Sequence, residues 1–225
     1  MAYTASYFTK ELCQSRDAVI LDFGCGEGSL FAALRKAGFV GRFYGVELNA
    51  NFGEFASRYG GATVANTVRA AEPVDLAILN HVLEHLDDPI GTLRQLAGLL
   101  KPDGRLYIDV PDADAYKSIF DLHIAHIYHF TMQTLPRLVE RSGLMVTHVE
   151  RHCPPHHPPS IRLVARNPQS GEIVTPRTTR AEEETAAWAA ISRSGRFLGT
   201  LRLRLARVPL ARLAYRLVRG QLGRN

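Results

Sequence analysis

The sequence predicts an α/β fold, a Rossmann-like doubly wound and mainly parallel sheet of about seven strands with an antiparallel last hairpin, followed by a helical C-terminal extension. Three observations carry this. Short strands apolar on both faces alternate with segments apolar at helical spacing, the pattern of parallel strands joined by right-handed crossovers. The first strand breaks into glycines at every second position, which lets the backbone turn tightly where a Cβ would collide. The last two strands are separated by a proline-rich connection with no room for a crossover helix, so they pair antiparallel.

Taken in order, Val19, Ile20 and Leu21 form the first strand, ending at Asp22 and running into Gly24, Gly26 and Gly28. Leu30, Phe31, Leu34 and Ala37 mark the first helix, closed by Gly38. Phe43 to Leu48 is the second strand, and Phe52, Phe55, Ala56 and Tyr59 stripe a helix that ends at Gly60. Ala62 to Ala65 is the third strand and Val74 to Asn80 the fourth, with Asp75 its sole charge. Asp88 and Pro89 read as N-cap and first helical position, and the stripe from Ile90 to Leu100 stops at Pro102, Asp103 and Gly104. Arg105 to Val110 is the fifth strand. A late helix holds Leu135, Leu138 and Val139, and Leu144 to Glu150 and Ile161 to Ala165 close the sheet. The core domain is therefore 1–167, with a polar linker over 168–180 and a basic amphipathic tail over 181–225.

With 225 residues, 46% of them hydrophobic and 22% charged, the chain can bury one substantial core. The three cysteines, Cys13, Cys25 and Cys153, are odd in number and far apart, which points to reduced thiols and a cytoplasmic setting. No charged-then-apolar leader and no apolar run of about 18 residues are present. The net charge of +5 is a property of the tail: nine arginines fall in the last 33 residues without an acid, leaving the rest net acidic. Nucleic acid is thus an unlikely partner for the domain. The tail interleaves those arginines with leucines, which suits packing on the domain, self-association, or peripheral contact with an anionic inner membrane surface through residues 193–225.

The glycine loop implies a nucleotide-like cofactor. A dinucleotide fingerprint of the form Gly-x-Gly-x-x-Gly would need a glycine at position 29, where the chain has Ser29. With Asp22 ahead of Gly24, Gly26 and Gly28, the loop instead resembles the first motif of class I S-adenosylmethionine-dependent methyltransferases. The resemblance continues in Glu47 at the end of strand two, in Asn80 His81 Val82 Leu83 Glu84 His85 Leu86 Asp87 Asp88 Pro89, and in Leu99 to Leu106, segments typical of the small-molecule and glycan methyltransferase group. It implies S-adenosyl-L-methionine as cofactor, held by Asp22, Gly24, Cys25, Gly26, Gly28, Glu47, Asn80 and His81, with the Glu47 carboxylate accepting from both ribose hydroxyls. Strand three is followed by Asn66 and Thr67, so the acid that many relatives offer to adenine is missing.

Such a cofactor leaves the protein to position an acceptor and manage its proton, and a hydroxyl acceptor wants a general base. All nine histidines lie between positions 81 and 157. His81 follows the fourth strand directly, and its competing reading is a helix-capping loop residue. His126 and His129 sit in a segment similar to the His-x-x-His-Phe-Ser/Thr run of glycan and secondary-metabolite methyltransferases; they are the leading base candidates, against a role in shaping the rim. His81 to His85 also matches a zinc-peptidase spacing, but it falls inside the methyltransferase-like run and no metal is assigned. The expected activity is methyl transfer to a small molecule or sugar, at a hydroxyl oxygen; the alternatives are a non-catalytic cofactor-binding subunit and an NAD-dependent oxidoreductase.

Overall fold

The computed structural model describes residues 2–13, 15–68, 70–116, 121–123, 125–155 and 158–177. The arginine-rich tail, residues 178–180 of the expected linker, and His156 and His157 lie outside the described residues. The chain divides into two compact units, Met1–Ala115 with Ile124–Thr179, and Tyr116–His123 with Arg180–Asn225. No helix among the described residues is long and apolar enough to cross a membrane.

Seven strands form one sheet in the order β3-β2-β1-β4-β5-β7-β6. These are β1 (Ile20–Phe23), β2 (Phe43–Val46), β3 (Ala62–Ala65), β4 (Val74–Asn80), β5 (Leu100–Pro111), β6 (Met145–His152) and β7 (Ser160–Arg166). β1 to β5 run parallel, while β7 pairs antiparallel with both β5 and β6. The strand order reverses between β1 and β4, and in such sheets the crevice beyond that point is where ligands bind. The helices are α1 (Ala2–Tyr7), α2 (Ser29–Lys36), α3 (Ala50–Gly60), α4 (Pro89–Leu99) and α5 (Thr134–Arg141).

Because successive side chains of a strand point to opposite faces, the central strands feed two cores. Leu21, Leu79 and Ile108 pack with Leu93, Leu96, Leu135 and Val139 on one face. Ile20, Ile78 and Tyr107 pack with Leu30, Phe31, Leu34 and Phe8 on the other. Phe8, fully buried, meets the Tyr107 ring edge-on at 4.7 Å. It belongs to a short π-helical turn (Phe8–Leu12) that continues α1, an element the sequence reading did not foresee because its stripe is too short to show a helical period.

Local chemistry sets the boundaries elsewhere. The Asp88 carboxylate accepts from the Gly91 amide at 2.9 Å with Pro89 in the first turn, as the sequence predicts, and Asn49 caps α3 in the same way. β5 differs from expectation. It starts at Leu100, which pairs with Val74, and the ladder resumes only at Arg105 opposite Leu76, so Lys101 to Gly104 loops out instead of separating helix from strand. Asp75 holds the loop there, accepting from Lys101 Nζ at 2.8 and 2.9 Å and from the Val19 amide at 2.7 Å. After β7 the chain stays against the domain: Asn167 donates to the Ala97 carbonyl and Arg177 bonds Glu140 on α5.

Candidate active site

Beyond β1 the backbone enters the left-handed region three times, with φ of 80° at Gly24, 52° at Gly26 and 76° at Gly28, conformations that favour residues without a Cβ. The Gly24 and Cys25 amides donate to the Val46 carbonyl at the end of β2, tying the loop to the neighbouring strand. Glu47 follows that carbonyl. Its carboxylate accepts from the Gly26 amide at 2.9 Å and from the Asn49 amide at 2.8 Å, one bond per oxygen. Each oxygen therefore keeps a lone-pair direction for a ligand hydroxyl.

A cavity opens at this point, at the carboxyl ends of β1 and β4. It gathers Asp22, Gly24, Cys25, Gly26 and Asn80, all named from the sequence, together with Glu27, Ser29 and Leu30, which were not. Those three follow from the turn itself, since α2 begins at Ser29 and presents its first turn to the same space. Gly28, Glu47 and His81, also named from the sequence, are not among the lining residues. A Cβ on Gly28 would lie 2.9 Å from Ala56 Cα, so this glycine serves the packing of α3 against the loop. A Cβ on Gly26 meets nothing within 4 Å and would point into open space. We therefore expect Gly26→Ala to fold, at a cost of about 1–2 kcal/mol for the left-handed backbone, and to lose most of its cofactor affinity by titration calorimetry. Gly28→Ala should lower the melting temperature further while its remaining folded fraction binds.

Asp22 is 4% exposed at the floor of the cavity. Burial, with a smaller contribution from the Glu47 charge, pushes its carboxyl up to about 7. Cys25 is similarly buried, and its thiol is pushed up to about 12, which makes it a wall rather than a nucleophile.

The turn after β4 links this cavity to a cluster of histidines. His81 takes a φ of 56°, the sole positive value at a non-glycine among the described residues. Its amide donates to the Asp109 carbonyl at 2.8 Å. Strain of this kind collects at functional sites, where the surroundings over-determine the conformation. The ring lies between two buried acids, with Nδ1 3.5 Å from Glu84 Oε1 and Nε2 3.9 Å from Asp109 Oδ1. Burial alone would lower the His81 pKa, but attraction to Glu84 and to Asp109 outweighs it and the net shift is upward. Val82 packs over Gly24, so this turn and the glycine loop are in contact. Asp109 in turn accepts from the Tyr107 hydroxyl at 2.9 Å and faces His152 Nε2 at 3.0 Å.

The loop carrying His126 and His129 is fastened to the same turn. The Glu84 carbonyl accepts from the Ile127 and Tyr128 amides at 2.8 and 3.1 Å, and His85 Nδ1 bonds the Ala125 carbonyl at 2.8 Å. The His85 and His126 rings stand edge to face at 4.8 Å, with His129 5.8 Å beyond His126. Burial lowers the His129 pKa. The turn that carries His81 and the loop that carries His126 and His129 are thus fastened together. His81 and His85 do not lie on one helix: Leu83–His85 is a single 3-10 turn, and His81 engages acids while His85 turns to backbone. Glu84, which the sequence marked only as part of a motif, is the centre of this arrangement, and nothing short of the fold reveals that its side chain is 1% exposed.

A family model described as "Methyltransferase domain" matches residues 2–149. Over 104 residues the chain is 30% identical to a ubiquinone biosynthesis O-methyltransferase of Haemophilus ducreyi, covering 40% of this chain and 43% of that protein. The chain thus spans less than half the length of the curated relatives it matches. Among solved structures, a SAM-dependent methyltransferase from Aquifex aeolicus aligns with a TM-score of 0.58 at 18% identity, over 72% of this chain and 88% of that one. Magnesium protoporphyrin IX methyltransferase from Synechocystis PCC 6803, solved with bound SAH, aligns with a TM-score of 0.55 at 16% identity, over 74% and 81%. The two solved structures share the fold described above.

Proposed function

Because the chain belongs to the methyltransferase-domain family, we propose that it transfers a methyl group from S-adenosylmethionine to a hydroxyl oxygen of a small-molecule or sugar acceptor. The observation that carries this reading is the contact between two features: a glycine-loop cavity floored by a buried acid, and a strained histidine set between Glu84 and Asp109 at the end of the adjoining strand. The curated relative's name, an O-methyltransferase, favours oxygen as the acceptor atom.

The residues present fit the cofactor. Asp22 offers a buried carboxylate for a cationic group, Glu47 offers two acceptors in one plane for a vicinal diol, and Gly26 leaves open the space that a Cβ would fill. Leu48, 84% exposed directly after Glu47, would offer an apolar surface for the adenine base. When bound, the cofactor supplies an already activated methyl group. The chain then has to orient the acceptor, exclude water and take up the hydroxyl proton. We assign that proton to His81, whose ring Glu84 and Asp109 hold in place, and give the acceptor rim to His126 and His129.

Calorimetry on the full chain tests the first step. S-adenosylhomocysteine is expected to bind one to one, and NAD not at all. Binding of NAD alone would make the chain an oxidoreductase candidate, and binding of neither would remove the cofactor assignment. A chain that binds S-adenosylhomocysteine yet methylates no acceptor in a broad panel of phenols and sugars would instead be a cofactor-binding subunit.

A further inference from the structure

We propose that Glu84, His85 and His126 form a binding site for one divalent transition-metal ion of the zinc type. The three residues each offer a ligand atom, and these atoms lie within 4.8 Å of one another. Two imidazoles and one carboxylate are the donor set of catalytic zinc sites that keep a coordination position open, and nitrogen donors select against magnesium.

Two further observations point to a ligand here. Glu84 is 1% exposed, yet neither of its carboxylate oxygens accepts a hydrogen bond from any described residue. Buried carboxylates are ordinarily paired and hydrogen-bonded, and the nearest charge partner, His81 Nδ1, stands off at 3.5 Å from one oxygen. A cation on the other oxygen would complete the site. The second observation is the tautomer of His85. Nδ1 faces the Ala125 carbonyl at 2.8 Å, so it carries the proton and leaves the lone pair on Nε2, which is how a metal-binding histidine is ordinarily oriented by its outer partner.

The scaffold is built to hold these donors together. Three hydrogen bonds staple the turn at 83–85 to residues 125–128, two of them to the Glu84 carbonyl and one through His85, so His126 is fixed beside Glu84 although 42 residues separate them in the chain. Donors on one zinc ion with bonds of about 2.0–2.2 Å sit roughly 3.5 Å apart in tetrahedral geometry. Closure by about 1 Å is therefore required, a small side-chain adjustment that leaves the His85 Nδ1 bond to Ala125 in place. The adjacency of this site to His81 gives it a use: an ion with an open position polarises a ligated acceptor hydroxyl and eases loss of its proton. That use rests on the methyltransferase reading above; the binding itself does not.

The test uses the full chain, stripped with a chelator and titrated with zinc against a chromophoric competitor. One equivalent should bind, and His85→Gln, His126→Gln and Glu84→Gln should each weaken it by more than the about 10–100-fold that loss of an outer partner costs. His148→Gln, on the exposed face of β6, should leave it unchanged. Cobalt substitution gives a second reading, with a visible absorption band that disappears in His126→Gln. Melting temperatures of the stripped variants identify any that fail to fold; the exposed His85 then decides. Zinc affinity unchanged in both histidine variants, or no binding beyond that of a stripped triple variant, overturns the proposal. S-adenosylhomocysteine titrated into the same stripped protein keeps the two readings apart: if it binds while zinc does not, only the metal site falls.

Discussion

Replacing Asp22 with asparagine is expected to raise the melting temperature of the cofactor-free protein above pH 7 while weakening cofactor binding. The Asp22 carboxyl is buried and pushed up to about 7 from an ordinary value of 3.8. The folded state therefore holds this proton more tightly than the unfolded chain does. Its contribution to stability is fully present below about pH 4 and is lost as pH rises through 7, where the carboxylate must ionise in place. With about 1.4 kcal/mol for each pKa unit, the ionised group costs the apoprotein on the order of 4 kcal/mol at pH 8. Asparagine has the same shape and no charge. Thermal unfolding from pH 5 to pH 8 should show the wild type losing stability relative to Asp22→Asn, the gap widening up to about pH 7 and holding constant beyond it. Parallel curves would mean that Asp22 is well solvated and the burial argument is wrong.

The same group makes binding pH-dependent. A cationic ligand beside Asp22 favours the ionised form, so S-adenosylmethionine should release a proton as it binds and should bind about tenfold more tightly at pH 8 than at pH 6. Asp22→Asn should lack that component and bind at least about tenfold more weakly at pH 8. Calorimetry in two buffers of different ionisation enthalpy counts the proton directly. A site tuned at the expense of stability is a common feature of ligand pockets.

Replacing His81 with asparagine should lower kcat by about 10²–10⁴-fold, the range attributed to a positioned general base, with S-adenosylhomocysteine affinity within about twofold of wild type. Asparagine is chosen because it tolerates the left-handed backbone that His81 adopts, so the loss reports the imidazole and not a misfolded turn. His81→Gly, which relieves the strain outright, should be as inactive and no less stable. The measurement is methyl transfer to whichever phenol or sugar the wild type accepts. If His81→Asn keeps full turnover, the base is elsewhere, and His129, whose lowered pKa keeps it neutral, becomes the candidate.

How much of this was legible in the chain follows from the range over which each signal acts. The spacing of Gly24, Gly26 and Gly28 after Asp22, the Asp88 cap with Pro89, and the proline-rich turn before β7 are local instructions, readable because backbone conformation and capping involve residues a few positions apart. Those sufficed for the sheet, its antiparallel end, the cofactor class and the set Asp22, Gly24, Cys25, Gly26 and Asn80 around one cavity. The tertiary structure alone decided three things. It showed that a Cβ on Gly26 would enter open space while Gly28 packs against α3, that Asp22 is sealed enough to shift its pKa, and that Glu84 meets a loop more than forty residues away. Each of these depends on what distant segments bring to a residue: a neighbour within van der Waals reach, the removal of water, or a staple across the sheet. The sequence therefore determined which cofactor chemistry this chain is built for, and the packing of remote segments determined which of its histidines and acids lie beside one another.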